Sequence, residues 1–321
     1  MFRHSSWIIV AFWIVAIVST VVAIAIWLIS RVINVDTNVT KGRRNREQAC
    51  NRSRFVSCFW LCLRASSARI HAEEAAMSRR SSVRSSRREK VALNHPIFAR
   101  WPVQYPDRLQ LFSLPTPNGV KVGIMLEETG LAYEPHRIDI MANENYDPSF
   151  LALNPNGKVP AIYDPDGPGG TPLALFESGA ILLYLADKTG QFMSADPNTR
   201  YETIQWVMWQ MGGVGPMFGQ VGFFNKFAGK AYEDKRPRDR YATESARLLG
   251  VLDERLAGRD WVMGTDYSIA DISLLGWVRN LIGFYEAREL VGFDRFLNVP
   301  AWLDRGLARP GVQRGLEVTA A

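Results

Sequence analysis

The chain has 321 residues, 47% of them apolar, enough for one large packed domain or two ordinary ones. Its net charge of +6 is unevenly placed, because residues 1–100 carry 17 Lys and Arg against 5 Asp and Glu, whereas residues 101–321 carry 21 against 27. The acidic part gives no ground for nucleic-acid binding. All three cysteines, Cys50, Cys58 and Cys62, lie in the basic part, so residues 101–321 hold neither a disulfide framework nor a protein thiol nucleophile. Cys58 and Cys62 lack a second pair and a nearby His at zinc-ligand spacing. The cysteines read as free, inert thiols, with palmitoylation of a membrane-proximal Cys as the alternative.

In chain order, Trp7 to Ile29 is first, an uncharged run of 23 residues. As a helix it would span about 34 Å, enough to cover a hydrocarbon core of about 30 Å. Trp7 and Trp27 near its ends suit an aromatic belt, and the Lys and Arg that follow, from Lys41 to Arg54, predict a cytoplasmic body by the positive-inside rule. Residues 1–30 are therefore expected to be a transmembrane anchor. Residues 31–100, rich in Arg and Ser and without period, are expected to be a disordered linker. A second reading stays open: translation could start at Met77, leaving a soluble cytoplasmic protein.

From Trp101 the pattern becomes regular. Leu109–Phe112 predicts a strand, Gly119–Thr129 a helix stopping at Gly130, and Tyr133–Ile140 a strand. A short helix around Ser149–Leu153, strands Val159–Tyr163 and Leu173–Phe176, and a helix from Ser178 to about Lys188 follow. This βαβ then ββα order predicts an α/β unit with mixed strand directions over 101–195. Beyond it the patterns are helical, predicting an all-α domain over 196–321.

Three features carry chemistry. Pro115-Thr116-Pro117-Asn118 lies between the first strand and first helix, where a thioredoxin-like unit would present a CxxC; a hydroxyl and a carboxamide at a helix N-terminus can stabilise a thiolate but cannot replace one. Val159-Pro160 opens a strand after a Gly-containing turn, suggesting a cis bond and a backbone edge at residue 159 open to an extended ligand; an ordinary loop-to-strand Pro is the plainer alternative. Phe176-Glu177-Ser178-Gly179 precedes a helix, with Ser178 as N-cap and carboxylate receptor and Glu177 as ammonium receptor, a pairing that suits an α-amino-acid head group; a simple cap is the alternative. Tyr267-Ser268-Ile269-Ala270-Asp271-Ile272 reads as a capping box with Tyr267 stapled against Ile272, a stabilising motif. Trp206, Met208 and Trp209 read as helix packing.

The segments TPNGVKVGIMLEE, NPNGKVPAI and LALFESGAILLYLADKTG, with WQMGGVGPMFGQ and YSIADIS, resemble the nu-class glutathione transferases over about residues 105–315. The resemblance implies a thioredoxin-like domain plus an all-α domain, a homodimer, and glutathione as cosubstrate. It further implies glutathione-dependent disulfide-bond oxidoreductase activity, with conjugation of electrophiles and a non-catalytic docking module as the alternatives. By resemblance Thr116 and Asn118 face the glutathione sulfur. Val159 pairs with the cysteinyl backbone, Pro160 is the cis proline, and Glu177 and Ser178 hold the γ-glutamyl end. Arg240 would reach the ligand from the helical domain; a solvated helix charge is the alternative. Asn145 stands where the family commonly has Gln, which puts that contact in doubt. Phe218, Phe223 and Phe224 are candidates for lining an acceptor pocket.

Overall fold

The structure is a computed structural model that describes residues 94–320. The expected anchor, the three cysteines and nearly all of the expected linker lie outside the described residues. Among the described residues no helix is long and apolar enough to cross a membrane.

A short helix, α1 (Ile97–Arg100), opens the described chain, followed by β1 (Leu109–Ser113), α2 (Gly119–Thr129), β2 (Tyr133–Arg137), α3 (Pro148–Leu153), β3 (Ala161–Asp164), β4 (Leu173–Phe176) and α4 (Ser178–Thr189). The strands form one sheet in the order β2-β1-β3-β4; β1 pairs parallel with β2 and antiparallel with β3, and β4 is antiparallel to β3. All five β1 residues are buried, as a central strand covered on both faces requires. Leu111 faces α2 and α4 in one core, and Phe112 faces Ile97, Ile138 and Phe150 in a second core on the opposite face.

Three boundaries differ from the sequence expectation. Residues 97–100, expected in the linker, form a helix because fully buried Ile97 has a hydrophobic site to fill, a burial worth about 1.5–3 kcal/mol. β2 ends at Arg137 because the Asp139 carboxylate accepts from the N–H groups of Met141 and Ala142, turning the chain away from the ladder. The third strand starts at Ala161, where pairing with Phe112 begins. The end of α2 is as expected: Gly130 takes φ 67° and its N–H closes on Leu126 O.

The second layer is helical: α5 (Pro197–Trp209), a π-helical turn (Gln210–Val214), α6 (Gly215–Asn225), α7 (Arg236–Leu256), α8 (Ile269–Ile282), α9 (Val299–Leu307) and α10 (Pro310–Glu317). The central helix α8 begins with the expected capping box, Asp271 accepting from the Ser268 N–H at 3.0 Å and Ser268 Oγ accepting from the Ala270 N–H. Tyr267 packs edge-on against Trp261 and Phe192, with the Arg309 guanidinium 3.9 Å from its ring centroid. Trp206 and Trp209 pack edge to face at 5.1 Å, while Met208 is exposed.

Two seams join the layers. Gly276 on α8 sits against the loop before α2, where an added Cβ would lie 2.6 Å from Val120 Cγ2 and 2.9 Å from Pro117 O. Gly315 on α10 meets the α2 backbone so closely that a Cβ there would lie 2.4 Å from Ile124 Cα. Bidentate Arg309–Glu128 and the Arg314–Glu127 pair hold the second seam from its polar side.

Candidate functional site

Thr116, Pro117, Asn118 and Gly119 start α2 as a chemical unit. The Thr116 C=O accepts the first helical bond, from the Val120 N–H at 3.0 Å, and its Oγ1 accepts from the Gly119 N–H at 3.1 Å. Thr116 is thus the N-cap in function, with Pro117 at the first helical position, where a missing N–H costs nothing. Gly119 is obligatory, since a Cβ would lie 1.9 Å from Leu114 O. Asn118 Oδ1 accepts from the Trp277 indole N–H at 3.0 Å. An indole N–H only donates, so this contact fixes which end of the carboxamide is oxygen and leaves Nδ2 as a free donor.

At the sheet edge the Val159–Pro160 bond is cis. Neither the N–H nor the C=O of Val159 is bonded to another described residue. The preceding turn is braced internally: Asn154 Nδ2 donates to Lys158 O, and buried Asn145 donates to Gly157 O. Asn145 therefore supports the turn and does not line the cavity described below.

At the β4–α4 joint the expected roles shift by one residue. Glu177 is the N-cap position, its C=O accepting from the Ile181 N–H at 2.9 Å, and it adopts φ 71°, ψ 111°, unusual for a residue with a side chain. Ser178 is already inside α4, and its hydroxyl turns inward. Its Oγ accepts from Lys121 Nζ at 3.1 Å and lies 3.5 Å from Met211 Sδ. Lys121 is fully buried and also donates to Gln210 Oε1 at 2.5 Å. Burial brings its ammonium down to about 7, with Glu177 opposing that change.

These segments enclose a cavity of about 530 Å³, within the range of small-molecule sites. The sheet half contributes Asn118, Asn154, Asn156, Lys158, Val159, Pro160, Glu177 and Ser178; the helical half contributes Gln210, Met211, Gly215, Pro216, Gly219, Gln220 and Trp277. Asn118, Val159, Pro160, Glu177 and Ser178 were expected together and are together. Thr116 is adjacent but outside the lining, and Arg240 is exposed on α7, also outside it. Phe218 does not line the cavity: it is 1% exposed and part of the core. Phe223 and Phe224 pack edge to face with each other and with Tyr232, further along α6.

Sequence reasoning missed Lys158, Gln210, Met211, Trp277 and the buried Lys121. A signal existed for Lys121, a lysine on the apolar stripe of α2 between Val120 and Val122. For Gln210 and Trp277 nothing local marked them, because their site partners are 89 and 159 positions away.

A mixed four-stranded sheet with a cis proline facing a helix N-terminus, closed by a helical domain across a polar cavity, defines a thioredoxin-like protein of the two-domain glutathione-transferase architecture. Two family descriptions match, the glutathione S-transferase N-terminal domain over residues 107–187 and its C-terminal domain over residues 214–310. The chain belongs to the glutathione S-transferase family. It is 41% identical over 209 residues to the disulfide-bond oxidoreductase YfcG of Escherichia coli, covering 65% of this chain and 94% of that one. A glutathione transferase from Burkholderia graminis, solved with two glutathione molecules per subunit, is 66% identical with TM-score 0.68, over 69% of this chain and 92% of that one. One from Pseudomonas putida, solved with one glutathione disulfide per subunit, is 63% identical with TM-score 0.68, over 70% and 96%.

Proposed function

We propose that this protein is a glutathione-dependent disulfide-bond oxidoreductase in which bound glutathione supplies the thiolate. The observation that carries the reading is the Asn118 carboxamide, held by Trp277 with its NH₂ free, in a cavity whose protein walls contain no cysteine. In this reading Asn118 Nδ2 and the Thr116 hydroxyl donate to the glutathione sulfur at the N-terminus of α2, lowering its pKa as such termini do for thiols. Val159 pairs with the cysteinyl backbone beside Pro160. Glu177 and Ser178 receive the γ-glutamyl ammonium and carboxylate, and Lys158 adds a cation at the rim.

The thiolate attacks one sulfur of a substrate disulfide, forming a mixed disulfide and expelling the other sulfur as thiolate, which takes a proton from water. A second glutathione thiolate then attacks the glutathione sulfur of the mixed disulfide, releasing glutathione disulfide and the second substrate thiol. Two glutathiones are oxidised and one disulfide is reduced, so electrons balance without a protein thiol. The test is reduction of a small disulfide with and without glutathione: turnover should require glutathione, and equal rates in its absence would overturn the reading. Trp277→Phe, which frees the Asn118 carboxamide to rotate, should lower kcat about tenfold.

The body divides at about residue 195 and pairs as a homodimer, which sedimentation would check. Residues 7–29 tether it to the cytoplasmic face of a membrane. That tether rests on the uncharged run and its basic flank, and a native mass beginning at Met77 would remove it.

A further inference from the structure

Lys121 has no place in the reaction just described, yet it is fully enclosed between α2, α4 and the π-helical turn. Its Nζ meets three acceptors: Ser178 Oγ at 3.1 Å, Gln210 Oε1 at 2.5 Å and Met211 Sδ at 3.5 Å. All three residues line the cavity. An ammonium has three donors and no acceptor, so the charged form matches this set. With Lys121 charged, Ser178 Oγ must accept from it, and the serine hydrogen is left for Met211 Sδ, a weak acceptor that a carboxylate displaces. With Lys121 neutral, its lone pair can accept the serine hydrogen, turning the hydroxyl away from the cavity. Gln210 repeats the pattern, since a donor-only partner fixes its Oε1 inward, and its buried Nε2 has no partner among the described residues.

We propose that Lys121 is a positioning residue of the glutathione receptor, acting through Ser178 and Gln210 so that the receptor accepts an anionic head group only while Lys121 carries its charge. The proposal rests on the glutathione reading above and deepens it. Glu177, at the start of α4, is the charged group facing Lys121. Gln210 and Met211 from the π-helical turn are neutral. On α8, Asp271 is taken up by Val262, Ser268 and Trp302, and Arg279 is exposed. On and beside α10, Arg309 and Arg314 are paired with Glu128 and Glu127. Burial places the Lys121 titration at about 7, where a change of pH can reach it.

The experiment is calorimetric titration of the full-length chain with S-methylglutathione, whose blocked thiol removes the ligand's own sulfur titration. Wild-type affinity should fall about tenfold over roughly pH 6 to 8.5. Lys121→Met should bind about tenfold more weakly at the acid end and show no such fall, because no charge remains to lose. Gln210→Glu, which keeps Lys121 partnered and holds it charged, should move the fall to higher pH. That variant decides the matter if Lys121→Met does not fold. A flat wild-type profile, or the same fall in Lys121→Met or an unmoved fall in Gln210→Glu, would overturn the proposal while leaving the glutathione site standing. Absence of wild-type binding at every pH would instead overturn the glutathione reading, and this proposal with it.

Discussion

Asp271 and Lys121 are both completely enclosed charged residues, each near the start of a helix, and they are held in opposite ways. Asp271 is surrounded by donors that face nothing else: Val262 N–H at 2.9 Å, Ser268 N–H at 3.0 Å and Trp302 Nε1 at 2.9 Å. Burial raises its pKa and those hydrogen bonds oppose the rise. Every partner of Lys121, by contrast, is also a wall of the cavity. A buried ion with inward partners ties elements together; one whose partners face a cavity transmits its charge to a ligand.

The most severe way to break the first half of that comparison is Asp271→Ala, which strands three buried donors. It should cost about 3 kcal/mol or more in urea unfolding, with glutathione affinity of the folded protein unchanged. Asn118→Ala tests the cavity side: about a hundredfold loss of glutathione-dependent turnover is expected, with a smaller stability loss of about 1 kcal/mol because the Trp277 indole N–H loses its acceptor.

A third prediction separates the two ions by pH. The folded-state pKa of Lys121 lies below that of an exposed lysine, so between about 7 and 10.5 the unfolded chain binds the extra proton. Stability should therefore rise with pH across this window, by up to about 1.4 kcal/mol per unit from this group, and Lys121→Met should lose that rise. Urea titrations at two alkaline pH values would show it. The smallest effect expected is from Arg240→Ala. With Arg240 exposed and outside the cavity lining, glutathione affinity should not change, and a clear loss by calorimetry would return that residue to the site.

The sheet half was legible because its signals are local. An apolar run gives β1, a 3.6-residue stripe ending at a glycine bounds α2, and the proline after a Gly-containing turn suggests a cis bond but leaves an ordinary loop-to-strand proline open. Asn118, Val159 and Glu177 were found for the same reason, each at the junction of a readable element and a loop. Gln210 was not, because the π-helical turn that aims it leaves no period of its own, and Trp277 in isolation is one more apolar residue on a buried helix. Phe218 shows the converse: aromatic character suggested a ligand wall, whereas packing against α7 and α8 uses the ring as core. Ser178 was correctly placed at a helix start, but its inward turn depends on a lysine 57 positions away.

The glycine seam has a consequence for modularity. Gly315 leaves no room for a side chain against Ile124, and Gly276 leaves none against Val120 and Pro117. The two halves are therefore cut to fit each other at backbone level, and a chimera that kept this sheet half but borrowed the helical half of a relative would need both glycines and the Trp277 indole to travel with the graft. Without them the foreign helices would stand off the start of α2, and the donor end of Asn118 would have nothing to aim it.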